Sequence, residues 1–399
     1  MSGTRRKPGR LGPYVEGYRA RLLELGYTPG TVRGMLKVLG QLGRWMESAG
    51  VEAGQLDEAA IGAFLTARRA GGDRHVPTAR ALGQMVRYLR EVGVMAPASA
   101  RTLTPLEGLL AEYRRWLVEE RGLAQATVIR YEALARRFLA ARIAPDDERG
   151  VERLGGAELS AYLVRECARV SLGSAKGRVA ELRALLRFLH VRGLTRPALA
   201  DALPSAAGWR ETAIPQTITH AEVERLVAGC ERSALDGLRD AAMLLLLARL
   251  GLRSIEVARL ELDDLDWRRG EVVVRGKARR QDRLPLPSDV GDALAAYLAQ
   301  RGPHPSRRVF LTLRAPTRPI RADLVGDVVQ RACRRAAVGH VGAHRLRHTL
   351  ASELLRAGAS LIDNSQVLRH RDLATTAIYA KIDLGRLRQV AQPWPGAAR

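Results

Sequence analysis

The sequence predicts a mainly helical protein of the α+β class, with one small β-hairpin set among the helices. Three observations carry that prediction. Apolar residues recur at helical spacing from Tyr14 to about Val94 and again from Leu103 to Leu194. Two short β-leaning runs, EVVV from Glu271 and DRLPLP ending at Pro287, flank a basic turn that holds Lys277. The most apolar run, AAMLLLLARLGL from Ala241, is far too short to span a bilayer and reads as a buried helix.

Taken in order, residues 1–13 form a basic tail containing Gly and Pro. Residues 14–100 and 101–196 read as two helical units that resemble one another. LLELGYTPGTV from Leu22 aligns with VEERGLAQATV from Val118, matching Gly26 to Gly122 and Thr31-Val32 to Thr127-Val128. QLDEAAIGAFLTARR from Gln55 matches RLGGAELSAYLVREC from Arg153, and MVRYLREVGV from Met85 matches LLRFLHVRGL from Leu185. A period of about one hundred residues is too long for a solenoid and points to two copies of a four-helix domain. Two unrelated helical bundles with a shared amphipathic pattern are the plainer alternative. Residues 197–219 lose periodicity and gain Pro, Gly and Ala, as a linker does.

From 220 to 385 the pattern is that of a further domain, followed by a tail over 386–399. Helices are expected over His220–Arg232, Leu235–Leu250, Asp289–Arg301, Arg321–Ala337 and Gly342–Gly358, with a short one from about Ala374 that contains Tyr379.

Charge narrows the function. The chain carries 65 Lys and Arg against 42 Asp and Glu, a formal net charge of +23. Such an excess calls for a polyanionic partner, and nucleic acid leads that class. A GC-rich coding bias would explain Arg over Lys but not the shortage of acids. The three cysteines, Cys167, Cys230 and Cys333, are scattered, with neither metal spacing nor a disulfide framework, which fits a reducing cytoplasm. The N-terminus, MSGTRRKPGRLGPY, lacks the apolar core of a signal, and a membrane partner is not expected.

The stretch from Gly342 to Asp383 concentrates the chemistry. His344 and Arg347 lie three apart on one expected helix and share a face, and His370 and Tyr379 follow. A phenol beside cations can attack a phosphodiester and hold the phosphate as a covalent ester, while the cations stabilise the pentacovalent transition state. The planar fork of Arg347 suits two phosphate oxygens at once. Each residue alone has a bland reading, Tyr as core and Arg as solvated surface; the ordered set is harder to reach by chance. His344 and His348, four apart, with His370 as a third ligand, also suggest zinc. The absence of a nearby Cys, of a carboxylate between the two His, and the presence of Arg347 argue against it, so no metal and no cofactor is expected.

With Arg253 and Lys277 added, the pattern resembles the tyrosine recombinase, or phage integrase, family. The resemblance covers residues 220–385 as a catalytic domain and, more loosely, residues 103–195 as a helical core-binding domain of the SAM-like type. GLRSIEVARL matches the first arginine box and places Arg253. RGKARR matches the hairpin lysine at Lys277, HRLRH matches the His-x-x-Arg box at His344 and Arg347, and RHRDLATTAIY matches the late histidine and nucleophile at His370 and Tyr379. The chain departs from the family with Leu250 where Thr is frequent, with Leu368-Arg369-His370 where Leu-Gly-His is usual, and with the polar IDNSQVL before it.

The resemblance implies a site-specific DNA recombinase that works through a 3′-phosphotyrosyl link, needs neither ATP nor metal, and acts as a homo-tetramer on two DNA sites, with or without a second recombinase. Arg253 and Arg347 would clamp the scissile phosphate, Lys277 would protonate the leaving 5′ oxygen, His344 would assist proton transfer at Tyr379, and His370 would bond the phosphate. Glu256 either orients Arg253 or forms a plain surface ion pair, and His348 is read as structural or as a support to the catalytic groups. The duplicated N-terminal unit favours a mobile element; Xer-type dimer resolution, type IB topoisomerase-like relaxation and a non-catalytic DNA-binding role are the alternatives.

Overall fold

In the computed structural model the described residues are 8–72, 76–77, 82–96, 104–142, 151–195, 198–204, 216–276, 280–370, 376 and 379. The chain divides into two compact units, one of residues 98–210 and one that joins residues 1–97 to 211–399.

The first stretch contains α1 (Val15–Glu24), α2 (Pro29–Ser48), α3 (Glu58–Ala70) and α4 (Gly83–Glu91). Local chemistry sets the starts: the Thr28 hydroxyl accepts the Thr31 N–H ahead of Pro29, and Asp57 accepts the Ala60 N–H at 2.7 Å. Leu22, Leu39, Leu42, Phe64 and Leu89 fill the core between them. Thr317, much later in the chain, donates both its N–H and its hydroxyl to the Leu25 carbonyl, each at 2.8 Å.

The second stretch repeats the order with α5 (Pro105–Glu119), α6 (Gln125–Ala140), α7 (Gly156–Ala168) and α8 (Leu172–Val191), around Leu110, Tyr113, Leu117, Phe138 and Phe188. The matched glycines behave alike: Gly26 and Gly122 each end a helix with positive φ, 79° and 57°, a conformation that costs glycine little.

The remainder is α9 (His220–Ala228), α10 (Leu235–Arg249), α11 (Ser254–Arg259), β1 (Leu265–Asp266), β2 (Glu271–Arg275), β3 (Gln281–Pro285), α12 (Ser288–Arg301), α13 (Ala322–Arg335), α14 (Ala343–Arg356) and α15 (Leu361–Leu368). The strands form an antiparallel sheet in the order β1-β2-β3, with Val272 opposite Leu284 and Val274 opposite Asp282. The expected hairpin is therefore present and gains β1, a two-residue strand too short for periodicity to show. α9 stops at Ala228 rather than near Arg232, because Gly229 caps it and its N–H returns to the Arg225 carbonyl.

Every residue of α10 from Arg239 to Leu247 is buried, which confirms it as the central helix. Each fully buried Leu there contributes about 1.5–3 kcal/mol relative to exposure. The core of this part runs from Ile218 to Leu346, and α14 brings Ala351 and Leu355 against Leu368 and Tyr379. Among the described residues no helix is long and apolar enough to cross a membrane.

Candidate active site

The turn between α10 and α11 builds one side of the site. Gly251 has φ of 57°, and a Cβ there would lie 3.1 Å from Leu350 and 3.2 Å from Leu368. Glycine thus permits both the left-handed backbone and the close approach of α14 and α15. Its carbonyl accepts from Arg347 and, at 3.5 Å, from Arg369. Arg253 follows at the N-cap of α11. Its N–H and its Nη1 both reach Glu256, at 2.8 and 2.7 Å, which leaves the guanidinium 37% exposed on the open side.

Arg347 comes from α14 and is only 1% exposed. It donates to the carbonyls of Gly251 and Leu368, and its Nε has no partner among the described residues. Burial, with Arg253 and Arg369 close by, pushes its pKa down to about 9, so it remains a cation at neutral pH. Glu256 is the counter-charge. Burial would raise its pKa, but Arg369 and the bonds from Arg253 outweigh that and hold it below the usual carboxylate range.

Arg369 occupies the position after α15 with φ of 54°. A side chain in this left-handed region costs about 1–2 kcal/mol relative to the right-handed one. Its guanidinium, buried with the residue at 6% exposure, bonds Glu256 at 2.9 Å and the Val367 carbonyl at 3.1 Å.

The other side of the site carries the rings. His344 and His348 lie one turn apart on α14 and meet edge to face, with centroids 4.6 Å apart. His348 Nδ1 and the Tyr379 hydroxyl share a hydrogen bond of 2.7 Å. His370 lies parallel to the Tyr379 ring at 6.3 Å, and its Nδ1 shares a 2.7 Å bond with the Thr376 hydroxyl. Tyr379 is 1% exposed. Burial, then His344 and Arg347, push His348 down to about 4; burial, then Arg347 and Arg253, push His370 down to about 4. His344 is lowered by burial and the same two arginines. All three imidazoles are therefore neutral at pH 7, and His348 has a lone pair able to take the phenolic proton. Burial raises the Tyr379 pKa, partly offset by Arg347 and Arg253.

The fold thus gathers Arg253, His344, Arg347, His370 and Tyr379 from four separate stretches. Lys277 lies outside the described residues. Two of its basic neighbours are engaged by acids, Arg275 by Asp264 and Glu261 at 2.8 and 3.0 Å, and Arg280 by Asp282 at 2.8 Å. Of the short helix expected from Ala374, only Thr376 and Tyr379 are described. The sequence assigns the phenol's proton transfer to His344 and a structural or supporting role to His348; the ring bonded to Tyr379 is His348. Its spacing from His344 and adjacency to Arg347 were the available signal. Glu256 is buried, so its pair with Arg253 is not a plain surface ion pair. Arg369 had a signal too, as the departure from Leu-Gly-His. No group of three His, Cys, Asp or Glu side chains suited to a metal occurs among the described residues.

An ordered set of two arginine boxes, a late histidine and a buried tyrosine on this fold defines a DNA strand-transfer enzyme of the tyrosine type. Comparison with known proteins agrees. The model of the phage integrase family matches residues 216–385. The putative integrase/recombinase y4rA of Sinorhizobium fredii is 36% identical over 99% of this chain and 97% of its own length. The tyrosine recombinase XerD of Mycobacterium tuberculosis is 32% identical over 72% of this chain and 96% of its own. The crystal structure of the XerH site-specific recombinase bound to palindromic difH substrate, a post-cleavage complex, shares the fold with a TM-score of 0.55 at 18% identity, covering 74% of this chain and 98% of that one. The chain belongs to the tyrosine recombinase (phage integrase) family.

Proposed function

We propose that this recombinase cleaves DNA by attack of the Tyr379 oxygen on a phosphodiester. The Tyr379 O–P bond forms as the P–O5′ bond breaks, leaving a 3′-phosphotyrosyl link and a free 5′ hydroxyl; the reverse attack rejoins a new strand. His348 takes the phenolic proton, with His344 supporting its ring. Arg253 and Arg347 stabilise the charge on the non-bridging oxygens, His370 bonds the phosphate, and Lys277 supplies the proton to the 5′ oxygen. The single observation that carries this reading is the 2.7 Å bond between a buried phenol and an imidazole that is neutral at pH 7. Burial of the phenol implies that binding of the duplex uncovers it.

The partner is double-stranded DNA, in keeping with the net charge and with the DNA-bound XerH relative in fold. The assembly is the homo-tetramer on two sites that the family resemblance implies, with the four-helix units of residues 14–100 and 101–196 holding the duplex. A mobile-element setting is supported by y4rA, called an integrase/recombinase, which aligns with 99% of the chain. Xer-type resolution is the second reading, favoured by XerD, which aligns with 72%.

The test is covalent capture from a library of nicked duplexes with randomised cores. The wild-type protein is expected to become linked to a 3′ phosphate in excess EDTA, while Tyr379→Phe binds the same duplex and forms no adduct. An adduct with Tyr379→Phe would overturn the nucleophile. Lys277→Ala is expected to lose roughly 10²–10⁴ in rate and to recover it on a duplex whose bridging 5′ oxygen is sulfur; no recovery removes Lys277 as the acid. Mapping the recovered core to an element's end or to a replicon's own resolution locus separates the two settings.

A further inference from the structure

We propose that Arg369 is a positioning residue that ties the turn carrying His370 to the turn carrying Arg253, so that both sides of the phosphate-binding frame move as one piece. The inference rests on the catalytic reading above.

Three observations converge on it. Glu256 is 5% exposed and both its oxygens are engaged: Oε1 accepts Arg253 Nη1 at 2.7 Å, and Oε2 accepts the Arg253 N–H at 2.8 Å and Arg369 Nη2 at 2.9 Å. One buried carboxylate therefore holds arginines that are 116 positions apart in number, 253 and 369. The same Arg369 guanidinium touches the carbonyls of Leu250 and Gly251 at 3.5 Å, on the turn that leads into Arg253, and that of Val367 at 3.1 Å, on its own turn. Finally, Arg369 keeps a left-handed backbone that glycine would adopt without strain. A long charged side chain held at a strained position, with its head buried on an acid from another element, acts as a tether between elements.

The consequence is specific. His370 is the next residue, and its N–H already returns to the Ser365 carbonyl at 3.0 Å. With Arg369 anchored on Glu256, the ring of His370 and the guanidinium of Arg253 are set by one shared carboxylate. Without it, Glu256 retains Arg253 alone, and the turn after α15 keeps the Arg347 bridge between Leu368 and Gly251 but loses its bond to α11. Binding of duplex, spread over a large basic surface, does not depend on this link; alignment of the phosphate does.

The experiment compares wild-type protein, Arg369→Gly, Arg369→Lys, Glu256→Gln and the Arg369→Gly/Glu256→Gln double variant. The substrate is the nicked duplex recovered from the library, and single-turnover adduct formation and duplex affinity are read together. Arg369→Gly is expected to slow adduct formation on the order of 10²-fold, as a misplacement of about 1 Å does, with affinity unchanged. Arg369→Lys keeps the charge and recovers part of the rate. In the Glu256→Gln background the glycine change adds little, because Arg369 acts through Glu256. Wild-type rate in Arg369→Gly, or losses that simply add in the double variant, overturns the proposal. If Arg369→Gly alone does not fold, the lysine variant and the double variant decide between the same outcomes.

A readout without cleavage separates this idea from the catalytic reading. The groups that bear on His370 are Arg347, Arg253, His344 and Arg369. NMR titration of His370 is expected to show a higher midpoint in Arg369→Gly than in wild type. If the wild-type protein forms no adduct, the catalytic reading falls on that result, and an unchanged His370 midpoint then overturns the tether as well.

Discussion

On the α11 side, the buried Arg347 and Arg369 are bound to the Gly251 and Leu368 carbonyls and to Glu256, and the same buried Glu256 holds the half-exposed Arg253. On the opposite side, among the described residues, Tyr379 has one side-chain bond, to His348, and the His370 ring has one, to Thr376. The first arrangement fixes cations through the backbone of three elements. The second holds the proposed nucleophile, among the described residues, through one side-chain hydrogen bond and burial. On the proposed mechanism the arginine frame receives a phosphate, and it gains from rigidity before the substrate arrives, since preorganised charge needs no rearrangement at the moment of reaction. On the proposed mechanism, Tyr379 has to be uncovered, and a bond that is easily exchanged suits it better.

That contrast can be broken most severely at Arg347. Arg347→Ala removes a buried cation, takes the Arg347 donor from the Leu368 carbonyl and leaves the Gly251 carbonyl with the 3.5 Å bond from Arg369. Adduct formation is expected to fall by roughly 10²–10³, the usual loss for one stabilising donor, and stability by about 1–3 kcal/mol for each buried group left unsatisfied. Arg347→Lys is expected to recover neither, because a single ammonium cannot span both carbonyls and a phosphate. Single-turnover capture and thermal melting check this; a lysine variant equal to wild type would show that the backbone wiring is dispensable.

His348→Phe sharpens the other half. It keeps a ring in the same space and deletes the atom bonded to Tyr379. The expected loss is roughly 10²–10⁴ in cleavage, with folding and duplex binding retained and a flatter pH–rate profile. His344→Phe is expected to lose less, since its ring reaches the phenol only through His348. A larger defect in His344→Phe would return the proton-transfer role to His344.

The smallest expected effect is on stability against pH. His348 and His370 titrate near 4 in the folded chain, and His344 is lowered too, whereas an unfolded histidine titrates near 6.5. Below about 6.5 the unfolded chain binds protons first. The stabilising contribution of the neutral rings is thus complete above that pH and is lost as pH falls through about 4. Melting temperature is expected to decline from pH 7 to pH 4.5 by less in His348→Phe than in wild type; equal slopes would mean that the His348 ring is not held neutral.

Much of the fold was legible in the chain. α10 announced itself by an unbroken apolar run, α14 by leucines at helical spacing ending at Gly358, and the hairpin by the β-leaning runs EVVV and DRLPLP on either side of a basic turn. β1 escaped because two residues contain no period, and α9 was read too long because its cap at Gly229 was passed over. The site was legible as a set of residue types in order. It was not legible as a set of bonds, and His348 and Arg369 show why.

By itself the sequence determined what depends on neighbours a few positions away: helix starts such as Thr28-Pro29 and Thr104-Pro105, the hairpin, the order of cations and phenol, and the charge of +23 that calls for a polyanion. Tertiary structure decided the partners. His344 and His348 share a face of α14, so periodicity cannot say which meets a phenol that is 31 residues further on. Glu256 could have met solvent, yet the packing of α15 beside α11 buries it against an arginine 113 residues away. Such choices rest on side-chain reach and desolvation, which exist only once the elements have packed.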